Sequence, residues 1–178
     1  QMSPLEVWYA RITAEDIIEL ASSPLAKARI RERVAAATAK ASSEIVYPQI
    51  AGMVSGRARI HDAPPLIYHP ADFSVDEFHA RIRDALLSYR ETLPDDRREL
   101  LDQYTLVDGA VKVVGIGSVG TLCLVILLMS ASNDPLFLQW KEARRSVLEP
   151  FAGDSVYAHP GQRVVMGQRL MQPASDVF

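Results

Sequence analysis

The segment of this chain best suited to chemistry is a glycine-rich stretch in its second half. It has the sequence Gly115-Ile-Gly-Ser-Val-Gly120, and Lys141 follows twenty-one residues after its last glycine. Because glycine has no Cβ, such a loop lets the backbone come close to a polyphosphate, and a lysine on a neighbouring strand can then reach the phosphate oxygens. The pattern predicts a nucleotide site whose residues are Gly115, Gly117, Ser118, Gly120 and Lys141.

The residues after the loop distinguish two kinds of glycine motif. In a dinucleotide-binding unit the third glycine opens a helix, and an acidic residue about 20 positions further on holds the ribose. Here residues 121–129 are apolar on every side, and Asn133-Asp-Pro135 then breaks the run as a turn between strands would. Strand, glycine loop, strand, turn and a strand with lysine is the order of the phosphate-covering lobe of a kinase. We therefore expect a glycine-rich hairpin.

Two other interpretations of the same stretch stay open. Residues 113–133 carry no charge, and twenty-one apolar or small residues are enough to cross a bilayer. The glycines near the start of the run and the lack of aromatic residues at its ends argue against a membrane span. The glycines could also serve only the turn of a buried hairpin, which would leave Lys141 as a solvated residue at a strand end.

Composition limits the partners that the chain is expected to have. Its 178 residues are 48% hydrophobic and 23% charged, which is ordinary for one globular domain or for part of a larger one. A net charge of −3 offers no general attraction to nucleic acid, so no nucleic-acid partner is expected. The N-terminus lacks the basic and apolar regions of a signal peptide. These features favour a cytoplasmic protein with no membrane partner.

The remaining candidate ligands do not form a metal motif in the sequence. The single cysteine, Cys123, lies in the most apolar stretch, and we expect it to be a buried small residue. The histidines share no spacing that is typical of a zinc site; they are His61, His69, His79 and His159. No metal site is predicted.

The elements that must position the glycine loop change in character near residue 104. Residues 1–104 are predicted to be mainly helical, with a capping box at Ser74 to Glu77 and an irregular connection over residues 47–70. Residues 105–178 are predicted to form a glycine-loop β lobe that ends in a helix from Pro160. The expected fold is α+β, with a helical N-terminal part packed beside a small antiparallel sheet that carries the hairpin.

Five stretches of the sequence together resemble a known bacterial family, domain of unknown function 2252. They are LPDDRRELLDQY (93–104), KVVGIGSVGT (112–121), DPLFLQWKEA (134–143), SVLE (146–149) and GQRVVMGQRLMQ (161–172). The similarity extends over the whole chain. Members of that family are longer than this chain, so the resemblance implies that the remainder of a longer protein is one of its partners.

The resemblance also implies a chemistry, because the family is similar to aminoglycoside phosphotransferases and protein-kinase-like proteins. It implies ATP and Mg²⁺ as ligands, with the three glycines over the phosphates and Lys141 on the α/β oxygens. A kinase lysine is oriented by a glutamate on a nearby helix, but the helix from Pro160 has none, which leaves Glu149 or Glu142 as partner.

No catalytic residue is assigned within these 178 residues. We therefore expect that the chain transfers no phosphate by itself and that exposed apolar surface promotes self-association. The alternative function is a noncatalytic interaction or scaffold module whose glycine loop is purely structural.

Overall fold

A computed structural model describes residues 10, 12–40, 49–113, 115 and 120–171. These residues form two compact units. One contains the described residues up to 40 together with those from 145 onward, and the other contains those from 49 to 144.

Along the chain, pairs of helices alternate with groups of three strands among the described residues. The helices are α1 (Ala14–Glu19), α2 (Pro24–Lys40), α3 (Val75–Glu91), α4 (Asp95–Leu101), α5 (Glu149–Ala152) and α6 (Pro160–Met171). The strands are β1 (Ala51–Val54), β2 (Arg57–Ile60), β3 (Ile67–Tyr68), β4 (Tyr104–Lys112), β5 (Cys123–Ser130) and β6 (Pro135–Lys141). The predicted α+β class is confirmed. Strands lie on both sides of residue 104, with β1, β2 and β3 before it and β4, β5 and β6 from it onward.

The first unit is helical. Thr13 caps α1 and forms a capping box with Asp16, because each side chain accepts a hydrogen bond from the other residue's backbone N–H. Pro24 is the first residue of α2, where a missing N–H costs nothing, and Arg31 of α2 pairs with Glu15 of α1 at 3.2 Å. The predicted helix from Pro160 is present as α6.

The second unit is built on a four-stranded antiparallel sheet of order β3-β4-β5-β6. The glycine-rich stretch joins β4 to β5, and these two strands run antiparallel with Val111 opposite Leu124. The predicted hairpin is therefore confirmed, and a helix through residues 120–129 is excluded. No helix among the described residues is long and apolar enough to cross a membrane.

Each face of this sheet is covered by a different element. On one face, Ile82 of α3 and Leu101 of α4 belong to an apolar cluster with buried sheet residues; the latter are Leu124, Ile126, Leu128 and Leu138. On the other face, Ala51 and Ile60 of the β1–β2 hairpin pack against Ala110, Val125 and Leu127. Since β5 is covered on both faces, it forms the centre of the core.

The prediction of an irregular connection over residues 47–70 is wrong for part of that range. The structure places β1, β2 and β3 there, with a tight turn at Ser55 and Gly56 whose φ angles are 50° and 78°. Two consecutive positive φ angles are the conformation that suits a two-residue hairpin. The strands were missed because each is four residues or shorter and prolines and glycines flank them, so no alternating pattern is long enough to detect.

Candidate functional site

The structure brings Lys141 next to the end of the glycine loop. Lys141 is the last residue of β6, and its register partner is Cys123, the first residue of β5 and three positions after Gly120. Opposite residues in an antiparallel pair have Cα atoms only about 4.5–5.5 Å apart. The Lys141 side chain is exposed, and it forms no ion pair with the residues that the structure describes. It is therefore available to a ligand.

Two of the loop glycines are required by the backbone itself. Gly115 has a φ of 47° and Gly120 a φ of 80°, both in the left-handed region that other residues rarely adopt. A Cβ at either position would meet no atom within 4 Å, so the restriction is conformational and the space beside both glycines is open. Gly117 and Ser118 lie outside the described residues, and their predicted roles stay predictions.

The end of the loop is held by a pair of charged side chains, Glu142 and Arg144, which we call the loop clamp. Arg144 donates to the Gly120 carbonyl at 2.6 Å and from Nε to Glu142 at 2.7 Å, while the Leu122 N–H donates to Glu142 at 2.9 Å. The Arg144 guanidinium and the Leu122 N–H lower the pKa of Glu142 to about 2. The carboxylate therefore stays ionised at any physiological pH.

Both glutamates that were predicted as partners of Lys141 pair with arginines instead. Glu142 pairs with Arg144 instead, as part of the loop clamp. Glu149 lies in the other compact unit, where its carboxylate pairs with Arg145 at 2.6 Å. The described residues thus explain how the loop end is fixed, and a glutamate that orients Lys141 stays a prediction.

The described part of the chain contains no group of three or more histidine, cysteine, aspartate or glutamate side chains that could hold a metal ion. Mg²⁺ binds through carboxylates together with phosphate oxygens and waters. The described residues therefore do not fit a magnesium site of their own, and no step through Mg²⁺ is assigned to them.

A second group of polar side chains meets around Asp108 of β4. We call it the Asp108 cluster, which consists of Asp62, His69, His79 and Asp108. Asp108 is only 3% exposed, and a register irregularity between Leu106 and Asp108 interrupts the β4–β5 pairing beside it. Such a bulge redirects side chains, and bulges are frequent near functional sites.

Asp108 is surrounded by hydrogen-bond donors. Its carboxylate accepts from the Ile60 N–H of β2 at 2.8 Å and from its own neighbour, the Gly109 N–H, at 2.9 Å. The Nε2 atoms of His69 and His79 lie 3.2 Å and 3.0 Å from its two oxygens. Burial by itself raises the pKa of Asp108, but the hydrogen bonds from His69, Ile60 and His79 outweigh it, and the net pKa is lowered.

His69 lies between two carboxylates. Its Nε2 faces Asp108 and its Nδ1 is 2.8 Å from Asp62, so both ring nitrogens carry a proton when both contacts are made. Asp108 raises the pKa of His69, burial opposes this, and Asp62 raises it further. For Asp62, the upward effect of burial is outweighed by the hydrogen bonds from the His69 ring and backbone, which lower its pKa. The two carboxylates therefore favour the charged form of the His69 imidazole.

The Asp108 cluster borders an open cavity of about 1290 Å³, which we call the Asp108 cavity. All the residues that line it belong to the second compact unit. Its charged and imidazole-bearing residues come from β2, β4, α3 and the segment after β3; they are Arg57, Arg59, His69, Asp76, His79 and Asp108.

The sequence could not reveal this cluster by spacing. His69 and Asp108 are 39 residues apart and His79 and Asp108 are 29 apart, so only the fold brings them together. One local signal existed, because Asp108 interrupts an otherwise apolar strand, and an acid buried in such a strand needs partners.

The whole chain, residues 1–178, matches the family model described as "Uncharacterized protein conserved in bacteria (DUF2252)". No curated protein and no solved structure gives a significant match.

Proposed function

The chain belongs to the DUF2252 family of uncharacterized bacterial proteins, and from this premise we propose that it is the nucleotide-binding portion of a phosphotransferase-like protein. The proposed ligand is ATP accompanied by Mg²⁺. Gly115, Gly117, Ser118 and Gly120 would lie over the phosphates, and Lys141 would neutralise their charge. The substrate that receives the phosphoryl group is outside this proposal.

One observation carries the proposal, namely the position of Lys141 relative to the loop. The glycine stretch connects adjacent antiparallel strands, and the third strand delivers an exposed lysine beside the loop's last glycine. A phosphate that the loop backbone covers would therefore lie within reach of a flexible ammonium group. This arrangement needs the strand order β4-β5-β6, which the structure has.

The loop clamp supports the same proposal. A loop that covers a charged ligand must be flexible at its tip but fixed where it joins the sheet. Arg144 and Glu142 fix the Gly120 and Leu122 backbone groups while leaving Lys141, the residue before Glu142, without an ion-pair partner among the described residues. The clamp thus separates the structural charges from the charge available to the ligand.

The test is calorimetric titration of the full-length protein with ATP and Mg²⁺, comparing wild type with Lys141→Met. A charge-assisted contact contributes about 1.5–3 kcal/mol, so the variant is expected to bind ATP about ten- to 150-fold more weakly. Lys27→Met is the matched control, because Lys27 lies on α2 in the other compact unit. Equal affinities for wild type and Lys141→Met would contradict the proposal.

A second function is favoured by the backbone of the loop. Gly115 and Gly120 have positive φ angles, which explains the presence of glycine at both positions without any ligand. This agrees with a noncatalytic interaction or scaffold module whose glycine loop is purely structural. Gly117→Val separates the two functions. If the loop covers phosphates, this variant stays folded and loses ATP affinity; if the loop is purely structural, the variant loses stability, and wild type shows no ATP binding to lose.

A further inference from the structure

Two arginines line the Asp108 cavity, Arg57 and Arg59. Arg59 is near enough to Asp62 to help lower the pKa of that carboxyl, but no salt bridge joins them. Arg57 and Arg59 stand two positions apart on β2, so their side chains leave the same face of the hairpin. Both line the cavity, and neither forms an ion pair with any residue that the structure describes. A guanidinium presents a planar set of donors that matches the oxygens of a carboxylate or a phosphate. Two such groups on one wall therefore suit an anion.

The imidazoles of the Asp108 cluster also border the same cavity. His79 lines it and places Nε2 on Asp108, while its Nδ1 has no hydrogen-bond partner among the described residues. His69 is held between Asp62 and Asp108 with both nitrogens occupied. His79 is thus the imidazole with a nitrogen to spare for a ligand.

The carboxylates that line the cavity form no salt bridge with these arginines. Asp108 is matched by four donors, two backbone N–H groups and two imidazoles, so it has little capacity left to neutralise an arginine. Asp76 is the other carboxylate that lines the cavity, and it pairs with neither arginine. Both guanidiniums therefore keep donors for a ligand.

We propose that the Asp108 cavity is a second ligand site, which binds a small molecule through an oxyanion group, a phosphate or a carboxylate, held by Arg57 and Arg59 beside the His79 ring. The cavity is larger than an ion requires, since small-molecule sites usually measure about 300–1000 Å³. Apolar residues that share its lining, Met53, Val107 and Met129, would contact the rest of the molecule. The ligand is therefore a molecule with an apolar part as well as an anionic group.

This site is separate from the proposed nucleotide site. Asp108 lies four residues before the end of β4, which is about 13 Å along an extended strand at about 3.3 Å per residue. The cavity also includes Met129 and Ser130 at the end of β5, whereas the glycine loop joins the start of that strand. Ligand binding at each of the two sites can therefore be tested independently of the other.

The experiment follows the histidine ring protons of the full chain by NMR during titration with inorganic phosphate and, in a second sample, with citrate. Both titrations are made at constant pH and ionic strength. The proposal expects saturable shifts of the His79 and His69 resonances, while His159, which lies in the other compact unit, does not respond. The probe that binds more tightly identifies the oxyanion class.

Matched variants decide whether the binding belongs to the cavity. Arg57→Gln/Arg59→Gln is expected to raise the dissociation constant at least about tenfold, which corresponds to the loss of one charge-assisted contact. Arg83→Gln, an exposed arginine of α3 outside the cavity lining, is expected to leave it unchanged. Lys141→Met should also leave it unchanged, because that lysine belongs to the other proposed site.

Three results would overturn the proposal: no saturable shift with either probe, an unchanged dissociation constant in the double arginine variant, or loss of binding in Lys141→Met. The wild-type titration and the Lys141→Met arm do not depend on the folding of the double variant. A failure of ATP binding at the glycine loop would leave the shifts of His69 and His79 in place.

Discussion

The glycine loop and the Asp108 cluster share strand β4, yet they are built in opposite ways. The loop is one continuous stretch of sequence, and its neighbours Lys141, Glu142 and Arg144 follow within thirty residues of its first glycine. The Asp108 cluster takes its members from four separate parts of the chain. A contiguous motif can be found by spacing, whereas a cluster of this kind becomes visible only once the strands and helices are placed.

The two regions also differ in what their charges do. Lys141 is exposed, and the loop clamp is a surface pair, so substitutions there should change ligand contacts more than folding. Asp108 is buried and joins β2, β4, α3 and the segment after β3 through hydrogen bonds. Substitutions in the cluster should therefore change the free energy of unfolding.

The largest effect is expected for Asp108→Asn. The amide removes the negative charge and replaces one acceptor oxygen with an NH₂ group, which cannot accept from the donors on that side. We expect the free energy of unfolding to fall by about 3 kcal/mol, the lower end of the range for breaking a buried ion pair, because both imidazoles keep some contact with solvent. Denaturant unfolding measures this free energy.

The control for this prediction is Asp84→Asn, an exposed aspartate on α3. A surface substitution of this kind should stay within about 0.5 kcal/mol of wild type. If Asp108→Asn matched that control, the carboxylate would not hold the two imidazoles, and the contrast between the regions would disappear.

A smaller effect is expected in the pH dependence of stability. The pKa of His69 is raised in the folded state, so the stabilisation from its charge is complete below the ordinary value of about 6.5 and is lost as pH rises through the raised pKa. The lowered pKa values of Asp108 and Asp62 act at the other end. Their contribution is present above about 3.9 and is lost as pH falls through the lowered values.

His69→Gln tests the alkaline side. The groups facing this ring are Asp62 and Asp108, with His79 on the far side of the Asp108 carboxylate. In wild type, the free energy of unfolding should fall as pH rises above about 6.5, and this fall should be absent in His69→Gln. The control variant His159→Gln should show the same fall as wild type. Unfolding curves measured at several pH values decide this, and an unchanged slope in His69→Gln would show that the ring is not charged in the folded protein.

The smallest effect on folding is expected for Arg144→Gln, in the loop clamp. Without the guanidinium, the pKa of Glu142 should rise from about 2 toward its ordinary value of 4.5, while the Leu122 N–H keeps part of the shift. The unfolding temperature should stay close to that of wild type, because the pair is exposed. Carboxyl NMR titration measures the pKa, with Arg83→Gln as the control that leaves it low.

Features that depend on residues close together in the sequence could be predicted, and features that depend on residues far apart could not. The capping box at Ser74 and Glu77 is decided by neighbouring residues, and the structure contains it. The predicted break between the strands is present too, but it ends before Pro135, which is the first residue of β6. The β4–β5 hairpin and the position of Lys141 on the next strand follow from the same local signals. The short β1–β2 hairpin escaped prediction because its strands bury only a few residues each, against a sheet that is distant in sequence.

The sequence by itself determined the family, the α+β class and the strand order around the glycine loop. Tertiary structure alone decided which charges meet. The fold places His69, His79 and the Ile60 N–H on Asp108, and it pairs Glu142 with Arg144 instead of Lys141. The physical reason is that local backbone preferences act over a few residues, whereas a buried carboxylate is satisfied by whichever donors the packed elements bring to it.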